Sequence, residues 1–363
     1  MCAFRFEIDP DIRRAWTPPA RVYTDPQLYR DTRDCVFARS WQLVGHADDV
    51  RVPGQVHPFT LLAGCLDEPL MLVRDRDDSL RCLSNVCTHR GMQVCQNGGI
   101  ESVLRCRYHG RRFALDGGFQ SMPEFEGVEG FPAETDDLRQ LPLCQWGPFL
   151  FVSLDPAMAF DRWIGPVRDR LNWLPLDALT FSPTRSRDYL VEANWALYCE
   201  NYLEGFHIPF VHAALSEVLD YGDYRTELHD FASLQVGHDR TGAGAFDLPP
   251  DSPDVGQDVC AYYYWLFPNL MLNFYPWGLS INIVKPLATD RTRVSFLSYV
   301  LDERKLAAGA GAELDRVERE DEAVVELVQR GVRSRLYDRG RYSPAREQGT
   351  HHFHRMLAEF LSQ

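Results

Sequence analysis

Two short stretches, Cys87-Thr88-His89-Arg90-Gly91 and Cys106-Arg107-Tyr108-His109-Gly110, decide how this chain folds. Sixteen residues separate His89 from Cys106, and each stretch offers one thiolate and one imidazole. Zinc sites with two cysteines and two histidines usually pair like with like, as C-x₂₋₄-C and then H-x₃₋₅-H, whereas this chain alternates them. A 2Fe-2S cluster with two cysteines on one iron and two histidines on the other is served by two facing loops of this kind. Gly91 and Gly110, just past the histidines, let the backbone turn tightly around such a cluster.

Around these loops, from Trp41 to Pro156, lie short β-like runs such as Leu70–Val73, Val103–Arg105 and Pro148–Leu154, separated by Gly, Asp and Asn turns. This predicts a small all-β domain over 41–156, preceded by a segment, 1–40, that packs on the second domain. The stretch 155–183 holds four prolines among apolar residues and reads as a packed connection. Beyond it, 189–191, 230–236, 261–267, 279–284 and 292–300 have the texture of antiparallel strands. Trp195–Glu204 and Ala312–Tyr337 read as helices. The second domain, 157–363, is therefore expected to be α+β, an antiparallel sheet with long helices packed on it.

A second constellation lies in N-W-A-L-Y-C-E-N-Y-L-E-G-F-H-I-P-F-V-H, Asn194 to His212. In an unbroken helix His207 and His212, five residues apart, would diverge by about 140°. Gly205 offers a helix stop and Pro209 clashes with a continuing turn, so the chain should break there and let both imidazoles converge. Two histidines plus one carboxylate make the facial triad of non-haem Fe(II), with positions left for O₂ and substrate. The apolar stripe Leu314, Val317, Val324, Val325, Val328 leaves one gap, filled by Asp321. A carboxylate on a buried stripe is costly unless paired or metal-bound, which makes Asp321 the expected third ligand. Glu318 lies near the same face, whereas Asp315, Glu320 and Glu322 read as a solvated face.

C-T-H-R-G and C-R-Y-H-G at this spacing resemble the Rieske domain of ring-hydroxylating and related oxygenases. Glu204, His207 and His212 resemble the acid followed by H-x₄-H of the Rieske non-haem iron oxygenases, and Glu320-Asp321 the acidic pair that ends in the third ligand. The resemblance covers nearly the whole chain and implies an all-β Rieske 2Fe-2S domain followed by a helix-grip catalytic domain. It implies a cluster held by Cys87, His89, Cys106 and His109, and one mononuclear Fe(II) held by His207, His212 and Asp321. Glu204 would carry electrons from His109 of the next chain to His207, which calls for a head-to-tail homotrimer, and Asn201 would help to position that bridge. Two positions depart from the common pattern: Ala196 stands where many members carry Lys, and the bridging acid is Glu, the variant of members that oxidise methylammonium-type substrates.

The balance of 38 Lys+Arg against 52 Asp+Glu, a net charge of −14, argues against nucleic acid and anionic membrane surfaces as partners. No signal-like or membrane-spanning run is present, so a soluble cytoplasmic protein is expected. Gly242-Ala243-Gly244-Ala245 lacks the third glycine of a dinucleotide fingerprint, so reducing equivalents from NAD(P)H must arrive through a separate ferredoxin or flavin reductase. Eight aromatics between Tyr262 and Trp277 suit an aromatic cage, a flat-ring pocket or simple core. Further resemblance, in P-N-L-M-L-N-F-Y-P-W-G and E-N-Y-L-E-G-F-H-I-P, is to the choline, carnitine and betaine oxygenases. It implies O₂-dependent hydroxylation of a small molecule beside a nitrogen, with N-demethylation. The rivals are aromatic ring hydroxylation or dioxygenation, a plain Rieske electron carrier, and a helix-grip binding module.

Overall fold

The run Leu70-Met71-Leu72-Val73 has no polar alternation because its strand is covered on both faces. Leu70 and Leu72 join Val50, Leu150 and Val152 in one apolar cluster, while Met71 and Val73 join Cys87, Leu104, Cys106 and Phe113 in another. One strand thus separates two small cores, and the second core holds the backs of both cysteine loops.

The computed structural model describes residues 5–212, 222, 224–239, 244–306 and 314–362. The chain divides into two units, 38–157 and 1–37 with 158–363. The first is all-β: β1 (Gln42–His46), β2 (Gln55–Leu61), β3 (Glu68–Arg74), β4 (Leu80–Ser84), β5 (Gly99–Ile100), β6 (Leu104–Arg105), β7 (Arg112–Phe113), β8 (Phe119–Ser121), β9 (Gln140–Leu141), β10 (Leu143–Trp146) and β11 (Phe149–Val152). They form sheets ordered β5-β2-β3-β4-β9, β1-β11-β10 and β6-β7-β8.

The second unit is built on an eight-stranded antiparallel sheet of β12 (Thr180–Phe181), β13 (Arg187–Val191), β14 (Arg225–His229), β15 (Ala232–His238), β16 (Val259–Leu266), β17 (Leu270–Tyr275), β18 (Gly278–Ala288) and β19 (Arg291–Val300). Its order is β12-β19-β18-β17-β16-β15-β14, with β13 also pairing β19. The helices are α1 (Pro26–Thr32), α2 (Phe160–Arg170), α3 (Trp195–Tyr202), α4 (Ile208–Val211), α5 (Leu314–Gly331) and α6 (Gln348–Ser362).

Strand alternation sorts the aromatics of β16. Tyr264 donates to the Pro166 carbonyl of α2 at 3.0 Å, whereas Trp265 packs edge-on against Phe353 of α6 at 5.2 Å. Burying such a side chain stabilises the fold by roughly 1.5–3 kcal/mol, enough to impose elements that local propensity does not favour. Thus the proline-bearing connection over 155–183 contains a helix: α2 tolerates Pro166 because Trp163, Ile164 and Val167 are buried. Similarly, α6, rich in His and Phe, lies where no element was expected. The long helix is shorter than its sequence texture suggests, ending at Gly331, while 312–313 lie outside the described residues.

Candidate functional site

In the all-β unit the two cysteine loops share one backbone design. The N–H of Gly91 donates to the Cys87 carbonyl and that of Gly110 to the Cys106 carbonyl, both at 3.0 Å. Both glycines take left-handed φ, 73° and 78°, which only glycine adopts without strain. Cys87 and Cys106 lie against each other, and burial with the neighbouring Cys106 raises the Cys87 thiol above its ordinary value. The rings of His89 and His109 meet edge-on at 4.8 Å. The four side chains thus pair thiol with thiol and imidazole with imidazole, the donor arrangement of a two-iron centre with unlike ends. Tyr108 stacks on His109 at 3.8 Å, and Arg111, buried next to Gly110, bonds Asp136 at 2.6 Å.

In the second unit α3 ends at Tyr202, earlier than expected, and a single helical turn, α4, separates His207 from His212. The histidines flank that turn as its N- and C-cap residues. Gly205 is therefore not the helix stop. It leaves room for Tyr224, whose ring would sit 2.5 Å from an added Cβ.

One ligand atom each of His207, His212 and Asp321 lies within 4.8 Å of the others, the only such trio of potential metal ligands among the described residues. Asp321 Oδ1 lies 3.0 Å from His212 Nε2 and 3.5 Å from His207 Nε2. The far nitrogens face acids: Nδ1 of His207 meets Glu204 Oε1 at 2.7 Å and Nδ1 of His212 meets Glu320 Oε2 at 2.8 Å. Each carboxylate can hold a proton on Nδ1, which leaves the Nε2 lone pair for a metal ion that Asp321 would share. Two imidazoles so oriented and one carboxylate suit ferrous iron. Burial disfavours charge on His212, yet Asp321 and Glu320 together hold its imidazole above its ordinary value.

Glu204 is locked at both oxygens, since its Oε2 accepts from the backbone N–H groups of Phe206 and His207. Asn201 does not turn to Glu204. Its Nδ2 donates to Asp321 Oδ1 at 2.6 Å. Glu320, expected on a solvated face, instead reaches back to His212 and accepts from Arg316 at 3.1 Å. The buried face of α5 is also rotated from the apolar stripe: Glu318, Val325 and Gln329 are buried while Val328 is exposed. A polar ladder sets that rotation. Tyr198 donates to Glu318 at 2.5 Å, Asn201 to Asp321, and the Asn194 N–H to Gln329 at 2.7 Å. The signal was present in the matched i, i+3 spacing of Tyr198/Asn201 and Glu318/Asp321.

The trio lies in a pocket of about 790 Å³, open mouth included, that Tyr198, Tyr202, Tyr224, Tyr263, Tyr275 and Glu318 help to line. Its floor is a register row across the sheet, Gln235 opposite Tyr263, Tyr263 opposite Asn273 and Asn273 opposite Ser280. Tyr202 donates to Asn273 Oδ1 at 2.8 Å and Gln235 to the Tyr202 carbonyl at 2.7 Å, which ties this floor to α3. Of the eight clustered aromatics only Tyr263 and Tyr275 line the pocket.

A two-iron loop pair followed by a two-histidine, one-carboxylate pocket over an antiparallel sheet defines the class: a Rieske-type iron oxygenase. Residues 40–132 match the Rieske 2Fe-2S domain and residues 176–363 the ring hydroxylating alpha subunit (catalytic domain). The chain belongs to the ring-hydroxylating alpha subunit family. It is 32% identical to choline monooxygenase of Arabidopsis thaliana over 97% of this chain and 85% of that one. It is 29% identical to the carnitine monooxygenase oxygenase subunit of Escherichia coli K12 over 96% of this chain and 94% of that one. The quaternary ammonium Rieske monooxygenase CntA in complex with L-carnitine superposes with a TM-score of 0.75 at 25% identity, over 96% of this chain and 97% of that one. The chain is accordingly the oxygenase component of a Rieske non-haem iron system, with a Rieske 2Fe-2S cluster and a mononuclear iron as cofactors. No helix among the described residues is long and apolar enough to cross a membrane.

Proposed function

We propose that this oxygenase hydroxylates a quaternary ammonium compound at a carbon beside the nitrogen, with N-demethylation as the consequence. The observation that carries the reading is the tyrosine-lined, acid-bearing pocket at the His207, His212 and Asp321 trio, with no Lys or Arg among its described lining residues. A quaternary ammonium has no N–H to donate and is bound by aromatic faces and opposite charge. The likeness to choline and carnitine monooxygenases supports the same substrate class.

In this reading Cys87 and Cys106 hold one iron of the cluster, His89 and His109 the other, and His207, His212 and Asp321 hold the mononuclear iron. When bound, the iron supplies reductive O₂ activation and oxygen insertion into a C–H bond. The chain's own groups set the conditions. Glu204 and Glu320 keep the Nδ1 protons in place, Asn201 fixes the Asp321 carboxylate, and the register row of Gln235, Asn273 and Ser280 orients the polar end of the substrate. Glu204 also links His207 to His109 of a neighbouring chain in a cytoplasmic homotrimer, and a separate NAD(P)H-dependent ferredoxin or flavin reductase supplies the electrons.

Oxygen uptake with a reductase present, screened over quaternary amines, N-methyl compounds and aromatic acids, tests the reading. Uptake coupled to aldehyde release from a quaternary amine is the expected result. Coupled turnover of aromatic acids alone would replace it with ring hydroxylation.

A further inference from the structure

One buried carboxyl facing the pocket has no task in the chemistry above. Glu318, on α5 one turn before Asp321, is 5% exposed and lines the pocket. Its Oε1 accepts from the Tyr198 hydroxyl at 2.5 Å. Among the described residues its side chain has no other hydrogen-bond partner and no ion-pair partner. Burial pushes its carboxyl well above the usual range, the Tyr198 bond opposes this, and Asp321, Glu322 and Asp315 add to it. A carboxyl in such a place is costly to ionise unless a cation comes to it, and no lining residue among those described is Lys or Arg.

We infer that the cation is the substrate: Glu318 is the counter-charge that receives the ammonium group inside the tyrosine-lined pocket. This deepens the quaternary-ammonium reading and rests on it. Glu204, which also lines the pocket, is already held by His207 and by two backbone N–H groups, so Glu318 is the lining acid with an oxygen left for a cation. A quaternary ammonium also needs no hydrogen bond from the acid, so Tyr198 can keep Oε1 while Oε2 meets the cation. Glu318 then sets specificity for charge, and the tyrosines set it for shape.

Choline and its neutral isostere 3,3-dimethylbutan-1-ol differ only by that charge, and calorimetric titration of the anaerobic holoenzyme reads each affinity. Wild type should prefer choline. Glu318→Gln should weaken choline binding by roughly tenfold or more while leaving the neutral isostere unchanged, and Glu318→Asp should restore the preference. Tyr198→Phe, which removes the clamp but keeps the charge, should preserve it too. If Glu318→Gln binds choline as well as wild type does, or weakens both ligands equally, the inference is overturned and the quaternary-ammonium reading survives. If no quaternary amine binds wild type, both fall together.

Discussion

His207 and His212 are each braced by an acid, but by different means. Glu204 is three residues from His207 and locked by its own turn, whereas Glu320 reaches His212 across 108 residues of chain. Replacing Glu320 by Gln should spare the fold and weaken iron retention by roughly 10–100-fold, read as iron remaining after dialysis against a graded chelator. Asp321→Ala should lose the mononuclear iron and O₂-dependent turnover while the visible absorption of the cluster persists. In the all-β unit Asp136 accepts from the Ala133 N–H at 2.8 Å and from Arg111, whose guanidinium lies over the Phe119 ring at 4.9 Å. The Ala133 N–H, then Arg111, hold the Asp136 carboxyl below its ordinary value. A depressed folded value adds stability above the unfolded value of about 3.9 and loses it as pH falls through the folded one. The difference in melting temperature between wild type and Asp136→Asn should therefore be full near neutrality and shrink as the pH drops below about 4.

At the scale of elements, α3 carries both the polar ladder to α5 and the approach to Glu204. Its C-cap, Leu203, leaves α6 no room for a side chain: a Cβ on Gly349 would stand 2.4 Å from the Leu203 carbonyl oxygen. Backbone cannot yield there as a flexible side chain would. Gly349→Ala should cost about 1–3 kcal/mol, seen as a lower melting temperature. Because the displaced carbonyl precedes Glu204 and His207, turnover should fall by more than the loss of folded protein explains.

At the scale of the molecule, the turn bearing His207 exposes apolar surface. Phe210 is 80% exposed and meets Phe206 edge-on at 6.2 Å, an unusual use of aromatics beside a charged site. In the proposed ring of chains we expect a neighbouring copy to cover this surface. Phe210→Asp should shift the sedimenting species from trimer toward monomer and lower product formation while the cluster is still reduced. An unchanged trimer would assign the phenylalanines another role.

The two proposed ligand sets and the order of the two domain types were legible in the residues alone. Cysteine and histidine alternate at fixed spacing around loops that only glycine closes, and His207 and His212 are incompatible with one continuous helix. These are local constraints, legible without packing. Tertiary structure alone decided that Glu320 braces His212, that Asn201 serves Asp321, and that only Tyr263 and Tyr275 of the eight aromatics reach the pocket. It also decided that α5 turns Glu318 and Gln329 inward in place of Val328. Each of these depends on how α3 and α5 rotate against each other and on strand register across the sheet, quantities set by partners far away in sequence. An apolar stripe could not report them, because the contact it was read from is made of polar groups that satisfy one another.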